Sequence, residues 1–266
     1  MKFAATRQCV LFVLLLGSAA AVQAGEGVQW KSPGYLVDAF VEVGLRSAHS
    51  TRRHRVHKWI SPVNYFIVHR VGDEDLHRRL IRTHFEHLSV ITGLPIRPAA
   101  SRAAANYLIV MTSEEKLEVD LPSYLGPALA RQHELLFRHN LCLVTLAAER
   151  KGSIIRAVAM IPVDSARARG ELASCVAEEL THAMGLPNDS PKALPSIFSH
   201  QFPHELLSGL DYLLLQMLYD PRVKPGMDEK TVRPILQTIA SEYARDNRFN
   251  TVERLAEQGG LAGLSP

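Results

Sequence analysis

The sequence predicts an α+β fold, with one sheet and helices packed to one side. Three observations predict it. The apolar pattern runs in the order strand, helix, several strands, then helices. Hydrophobic residues make up 47% and charged residues 21% of the 266, so the chain can bury a sizeable core, and a net charge of +3 is too small for disorder. The 16 Gly and 15 Pro are scattered, with no sustained heptad or internal repeat, which excludes rods and repeat arrays.

The elements follow in order. Lys2 and Arg7 precede an unbroken apolar run from Val10 to Leu16, and small residues end at Ala21-Val22-Gln23-Ala24. This pattern predicts a signal peptide over 1–24, cut between Ala24 and Gly25. The apolar run is shorter than the roughly 20 residues of a membrane span. No Cys follows it that could carry a lipid. Residues 25–57 read as an irregular lead with a basic stretch, Arg52, Arg53, His54, Arg55 and His57, continued by Lys58.

One domain is expected over 58–250. A strand at 63–68 is rich in β-branched and aromatic residues. A helix at 73–92 carries Leu76, Leu80, Ile81, His84, Leu88 and Ile91 on one face, and Gly93 stops it. A second strand covers 106–111. The stretch 112–131 is broken by Pro122, Gly126 and Pro127. Strands at 141–147 and 154–162 flank a turn at Lys151-Gly152-Ser153. Helical periods run from Arg169 to Gly185, from 206 to 219 and from 229 to 246, before a tail at 251–266.

Export would shape the rest. Without Lys2 and Arg7 the basic count falls from 30 to 28, against 27 acidic residues. A nearly neutral protein gives no support for a nucleic-acid partner. The expected location is periplasmic or secreted, with no further membrane span. In an oxidising compartment Cys142 and Cys175 form a disulfide; the alternative is two buried thiols. A bond closing that loop is worth ~3–4 kcal/mol by chain entropy.

The chemistry concentrates between Cys175 and Asp189. On a helix, residues four apart stack on one face, so Glu178 and His182 can clamp one metal ion. Glu179 lies beside them, on the apolar stripe of Leu172, Val176 and Ala183. A carboxylate there is costly without a partner or a task. Gly185 lets the chain turn sharply, and Asn188 or Asp189 can fold back as a third ligand.

This stretch resembles the zinc-peptidase signature His-Glu-x-x-His-x-x-Gly-x-x-His. Glu179 matches the catalytic Glu, His182 the second His, and Gly185 the Gly. Glu178 and Asn188 stand where the first and third His would be, and Asp189 is one residue further. A Glu–His–Asp set binds zinc less tightly and suits other divalent cations too. Pro195-Ser196-Ile197-Phe198-Ser199 resembles the Ser-Ile-Met turn beneath the zinc of metzincins, with Phe198 as the apolar floor. His200 and His204 are reserve ligands.

The chain also resembles an exported proteobacterial family known as domain of unknown function 2927. The matching pieces are Lys58-Trp59, Cys175-x-x-Glu178-Glu179, His182-x-x-Gly185-Leu186-x-Asn188-Asp189, Ser196-Ile197-Phe198, Leu207 to Asp211, and Leu218-Tyr219-Asp220-Pro221-Arg222 through Gly226-Met227. The resemblances imply a zincin-like fold: one mixed sheet, a packed N-terminal helix, an active-site helix and C-terminal helices.

Two functions follow. One is a metal-dependent peptidase or other hydrolase, with zinc or another divalent cation on His182, Glu178 and Asp189 or Asn188. Glu179 is then the general base toward a peptide or protein substrate. The other is a non-catalytic envelope or interaction protein on the same fold, with no cofactor. A serine hydrolase lacks support, since no Gly-x-Ser-x-Gly elbow exists. The leader reading is checked by N-terminal sequencing of exported protein, expected to begin at Gly25.

Overall fold

The computed structural model describes residues 30–46, 55–127, 130, 141–199 and 206–264. The expected signal peptide lies outside the described residues, as do Arg52, Arg53, His54, His200 and His204.

The core begins with β3 (Tyr107–Thr112), which is buried at all six positions. A strand apolar on both faces must be covered on both. β3 lies in the middle of a five-stranded mixed sheet of order β2-β1-β3-β5-β4. The other strands are β1 (Val63–His69), β2 (Ile96–Pro98), β4 (Leu143–Ala148) and β5 (Ile154–Pro162). β4 is the antiparallel edge, and the other pairings are parallel.

Tyr107, Ile109 and Met111 face the main core, which contains α2 (Glu74–Thr92) and α5 (Leu172–His182). Leu108 and Val110 face the other way, onto Leu117, Leu121 and Tyr124 of α3 (Glu114–Leu125). The expectation of helices on one side is therefore corrected: α3 covers the second face. Its sequence hides it, because Pro122 sits inside the helix. Proline there costs the helix one hydrogen bond, to the carbonyl four residues before it, and the Gly126 N–H closes the end onto Pro122 O.

The lead is not irregular throughout. Ser32 caps α1 (Pro33–Leu45), its hydroxyl accepting from the Tyr35 N–H, and Pro33 occupies the first turn. Leu36, Val37, Phe40, Val41 and Gly44 turn the helix inward. After α4 (Val163–Ala168) and α5 come α6 (Gly209–Tyr219), α7 (Glu229–Arg245) and α8 (Val252–Gln258). The expected tail thus contains a helix, buried through Val252 and Ala256. Among the described residues no helix is long and apolar enough to cross a membrane.

Lys58 joins the lead to the C-terminal half. Its ammonium group is buried and donates to the carbonyls of Leu218 (2.8 Å), Val223 (2.8 Å) and Asp220 (3.4 Å). These include carbonyls at the open end of α6, which lack helical partners. Burial, helped by Lys224, lowers its pKa to about 8. Trp59 Nε1 donates to Ala183 O (2.9 Å), just past α5. Beside Lys58, Gly152 has φ +87°, and a Cβ there would lie 2.4 Å from the Gly226 nitrogen.

Several histidines are buried and uncharged. His84, on α2, bonds to Thr181 Oγ1 of α5 (3.0 Å), and burial, then the nearby His87, pushes its pKa down to about 3. The Thr181 hydroxyl donates to Ala177 O, so His84 Nε2 is the donor to it. His77 is fully buried and stacked on His69, with centroids 5.8 Å apart. Among the described residues, neither nitrogen of either ring has a hydrogen-bond partner. The His77 pKa is lowered by burial, then by His69 and Arg167, against Asp73 and Glu74.

A His with a lowered folded pKa stabilises the fold above the unfolded value near 6.5 and loses that contribution as pH falls. His77→Leu is therefore expected to gain stability over the parent as pH drops from 7.5 to 5.5, by up to ~1.4 kcal/mol per pH unit below 6.5. Urea unfolding at the two pH values checks it; a pH-independent difference would refute it.

Candidate metal centre

The site is built at the C-terminal end of α5. Cys175, in its second turn, and Cys142, just before β4, sit in disulfide geometry with Cα atoms 5.9 Å apart. This pair ties the helix to the edge strand. Tyr107 of β3 reaches the same helix, its hydroxyl 3.4 Å from Glu179 O. Glu178 and His182 stand four positions apart on this helix, one turn above the other.

Gly185 then reverses the chain. Its φ is +113°, and a Cβ there would lie 2.0 Å from His57 O, so only glycine fits. The turn brings Leu186 O to 2.6 Å from His182 Nδ1. Next, Asp189 Oδ1 arrives 3.1 Å from His182 Nε2, with Glu178 Oε1 at 3.9 Å. One donor atom from each of Glu178, His182 and Asp189 lies within 4.8 Å of the others. The spacing argument proposed Glu178 and His182 with Asn188 or Asp189, and it is Asp189 that lies with the pair.

The carbonyl at Nδ1 makes that nitrogen the N–H of a neutral imidazole, leaving the Nε2 lone pair toward the two carboxylates. This is how ligating histidines are commonly held. The donor set fits a divalent cation: one imidazole nitrogen and carboxylate oxygens, most of the ring being buried. Without an ion, a proton takes that place. Burial pushes the His182 pKa down, but the Asp189 hydrogen bond and charge, with Glu179 and Glu178, bring it to about 9.

Glu179 points inward and is 7% exposed. Burial raises its pKa. The His182 charge and the Val144 N–H of β4 work against burial, while Glu178 and Asp189 add to it, giving about 8. The carboxyl is thus poised near neutrality beside the trio, where a proton acceptor is useful.

Phe198 forms the floor. Its ring is fully buried, 4.4 Å from the His182 imidazole. The turn carrying it is anchored by Asp211 of α6, a residue whose site role the sequence reading missed. The Asp211 carboxylate accepts from Ser196 Oγ (2.5 Å), the Ile197 N–H (3.2 Å) and the N–H and hydroxyl of Ser208 (both 2.8 Å). The signal was present, since Ser208 and Asp211 have capping-box spacing. Asn188, the alternative third ligand, directs its side-chain amide nitrogen and its N–H to Val43 O (3.2 and 3.0 Å).

Fold and site together define an α+β protein with a carboxylate–imidazole–carboxylate cluster at a helix end. A family model described as "Protein of unknown function (DUF2927)" matches residues 33–238, and the chain belongs to that family. No curated protein and no solved structure matches it.

Metal binding must displace the Nε2 proton of His182, so apparent affinity rises with pH up to about 9. Zinc is expected to bind roughly 100-fold tighter at pH 8 than at pH 6, one proton being released per ion. Chelator competition at the two pH values checks it. An unchanged affinity would remove His182 from the ligand set.

Proposed function

We propose that this protein is an exported, metal-dependent hydrolase acting on peptide bonds, built on a zincin-like fold. His182, Glu178 and Asp189 hold a divalent cation, zinc being the first candidate. A cation bound there polarises a carbonyl oxygen and lowers the pKa of a water. Glu179 takes the proton of the attacking water and returns it to the leaving amine. The Val144 N–H supports the charged form of that carboxylate between the two transfers.

One observation carries this reading: a buried carboxyl, Glu179, with no structural partner as strong as Asp211 enjoys, beside three convergent donor atoms. The sequence likeness Glu179-x-x-His182-x-x-Gly185 and the Phe198 turn under His182 support the zincin-like assignment. A peptide substrate is supported by β4, which ends the sheet and contributes Val144 beside Glu179. An extended chain can add to such an edge.

The second reading is a non-catalytic interaction protein on the same scaffold. The 3.1 Å contact between His182 and Asp189 favours it, because an imidazolium–carboxylate pair closes the site without an ion.

Metal content by mass spectrometry, measured on protein purified without chelator, separates the two. The hydrolase reading expects about one ion per chain, lost in His182→Ala. Glu179→Gln is expected to keep the ion and lose at least ~100-fold in hydrolysis of an unstructured protein such as casein. No ion in the parent, even after zinc titration, leaves the non-catalytic reading.

A further inference from the structure

The loop after Gly185 is held from one side. Asn188, Ser190, Lys192 and Leu194 each bond to α1. Asp189, between the first two, turns the opposite way to His182. The contacts come from the two ends of that helix, Tyr35 in its first turn and Glu42 and Val43 near its last residues. Val43 O accepts from the N–H and side-chain amide of Asn188 (3.0 and 3.2 Å). Glu42 accepts from Ser190 Oγ (3.2 Å) and Lys192 Nζ (3.4 Å). The Tyr35 hydroxyl accepts from the Leu194 N–H (2.8 Å) and faces the carbonyls of Leu194 (2.6 Å) and Lys192 (2.8 Å).

α1 is itself braced. Arg233 of α7 bridges Asp38 on α1 (2.8 Å) and Glu229 (3.0 Å), and Glu229 also meets Arg46, just past the helix (3.5 Å). Helix, loop and ligand form one chain of contacts from α7 to Asp189.

We propose that α1 is the positioning element of the metal site, with Tyr35 and Glu42 as positioning residues that hold Asp189 opposite His182 before an ion arrives. The inference rests on the metal-binding reading above. A loop ligand held by its own backbone loses little freedom on binding, and supports of this kind typically change metal affinity 10–100-fold. None of the α1 side chains would touch the ion. Asn188 then acts through the backbone of its neighbour, and its carboxamide serves as a loop anchor.

The test uses the full chain and two variants, Tyr35→Phe, which keeps the ring, and Tyr35→Phe combined with Glu42→Ala. Val110→Ala, in the core on the far face of the sheet, is the control for general destabilisation. Zinc affinity is measured by chelator competition, melting temperature without metal, and amide hydrogen exchange at Asn188 and Leu194. The expected result is at least a tenfold weaker affinity in the double variant and a smaller loss in Tyr35→Phe. The control should keep parental affinity even where its melting temperature falls as far. Parental affinity in the double variant overturns the proposal, as does equal weakening in the control. If the parent takes up no ion, the metal reading fails by itself. The clamp is then judged on exchange: protection lost at Asn188 and Leu194 in the double variant upholds it, and protection retained overturns it.

Discussion

The Lys58 ammonium group is withdrawn from water, and the arrangement of the site depends on how it is satisfied. Desolvating a charge is costly unless hydrogen bonds replace the lost water. Here the replacements are carbonyls of Leu218, Asp220 and Val223, at and just beyond the negative end of α6. The bond to Leu218 O and the stacking of the ammonium near the Tyr219 ring (5.2 Å) fix where α6 stops. The Tyr219 hydroxyl then reaches Met184 O (3.0 Å), and Trp59, next to Lys58, reaches Ala183 O. Both of those carbonyls lie between His182 and Gly185. One buried cation therefore sets the height at which the site helix ends and the chain turns back.

Two buried carboxyls show contrasting uses of the same group. Asp211 accepts from Ser196 Oγ and the N–H groups of Ile197 and Ser208, with the Ser208 hydroxyl shared between it and Pro195 O, and holds the Phe198 turn in one shape. Burial still raises its pKa, with each of those bonds working the other way. Glu179 has fewer fixed donors and shares its pocket with His182, Glu178 and Asp189. Its charge state therefore depends on what occupies the space between them. The first arrangement gives rigidity, the second responsiveness.

Much of this was legible in the sequence, for physical reasons that can be named. The strands at 63–68, 106–111 and 154–162 announce themselves by β-branched density, and α2 by its period and Gly93. The Glu178–His182 pair was legible because i,i+4 spacing on a helix is a geometric fact. Other parts were hidden. β2 has three residues and ends in Pro98, too short for any period. α1 was masked because Ser32-Pro33 reads equally as a loop and as a helix start, and Tyr35 and Glu42 were missed with it. Spacing left Asn188 and Asp189 equivalent. The choice is made by Asn188 and Ser190, on either side of Asp189, bonding to α1, a contact about 150 residues distant in sequence.

That separation has a consequence for when the site comes into being. The bonds from Tyr35 to Leu194 and from Arg233 to Asp38 span 159 and 195 residues. Long-range closures of this kind form late, after local helices and strand pairs. Among the described residues, the first helix in the chain is braced by nearly the last. Glu178, Glu179 and His182 belong to one local helix, but Asp189 has its platform only once the loop around it has met α1. Donor convergence is thereby deferred to the end of folding, and a partly made chain carries the helix without the site.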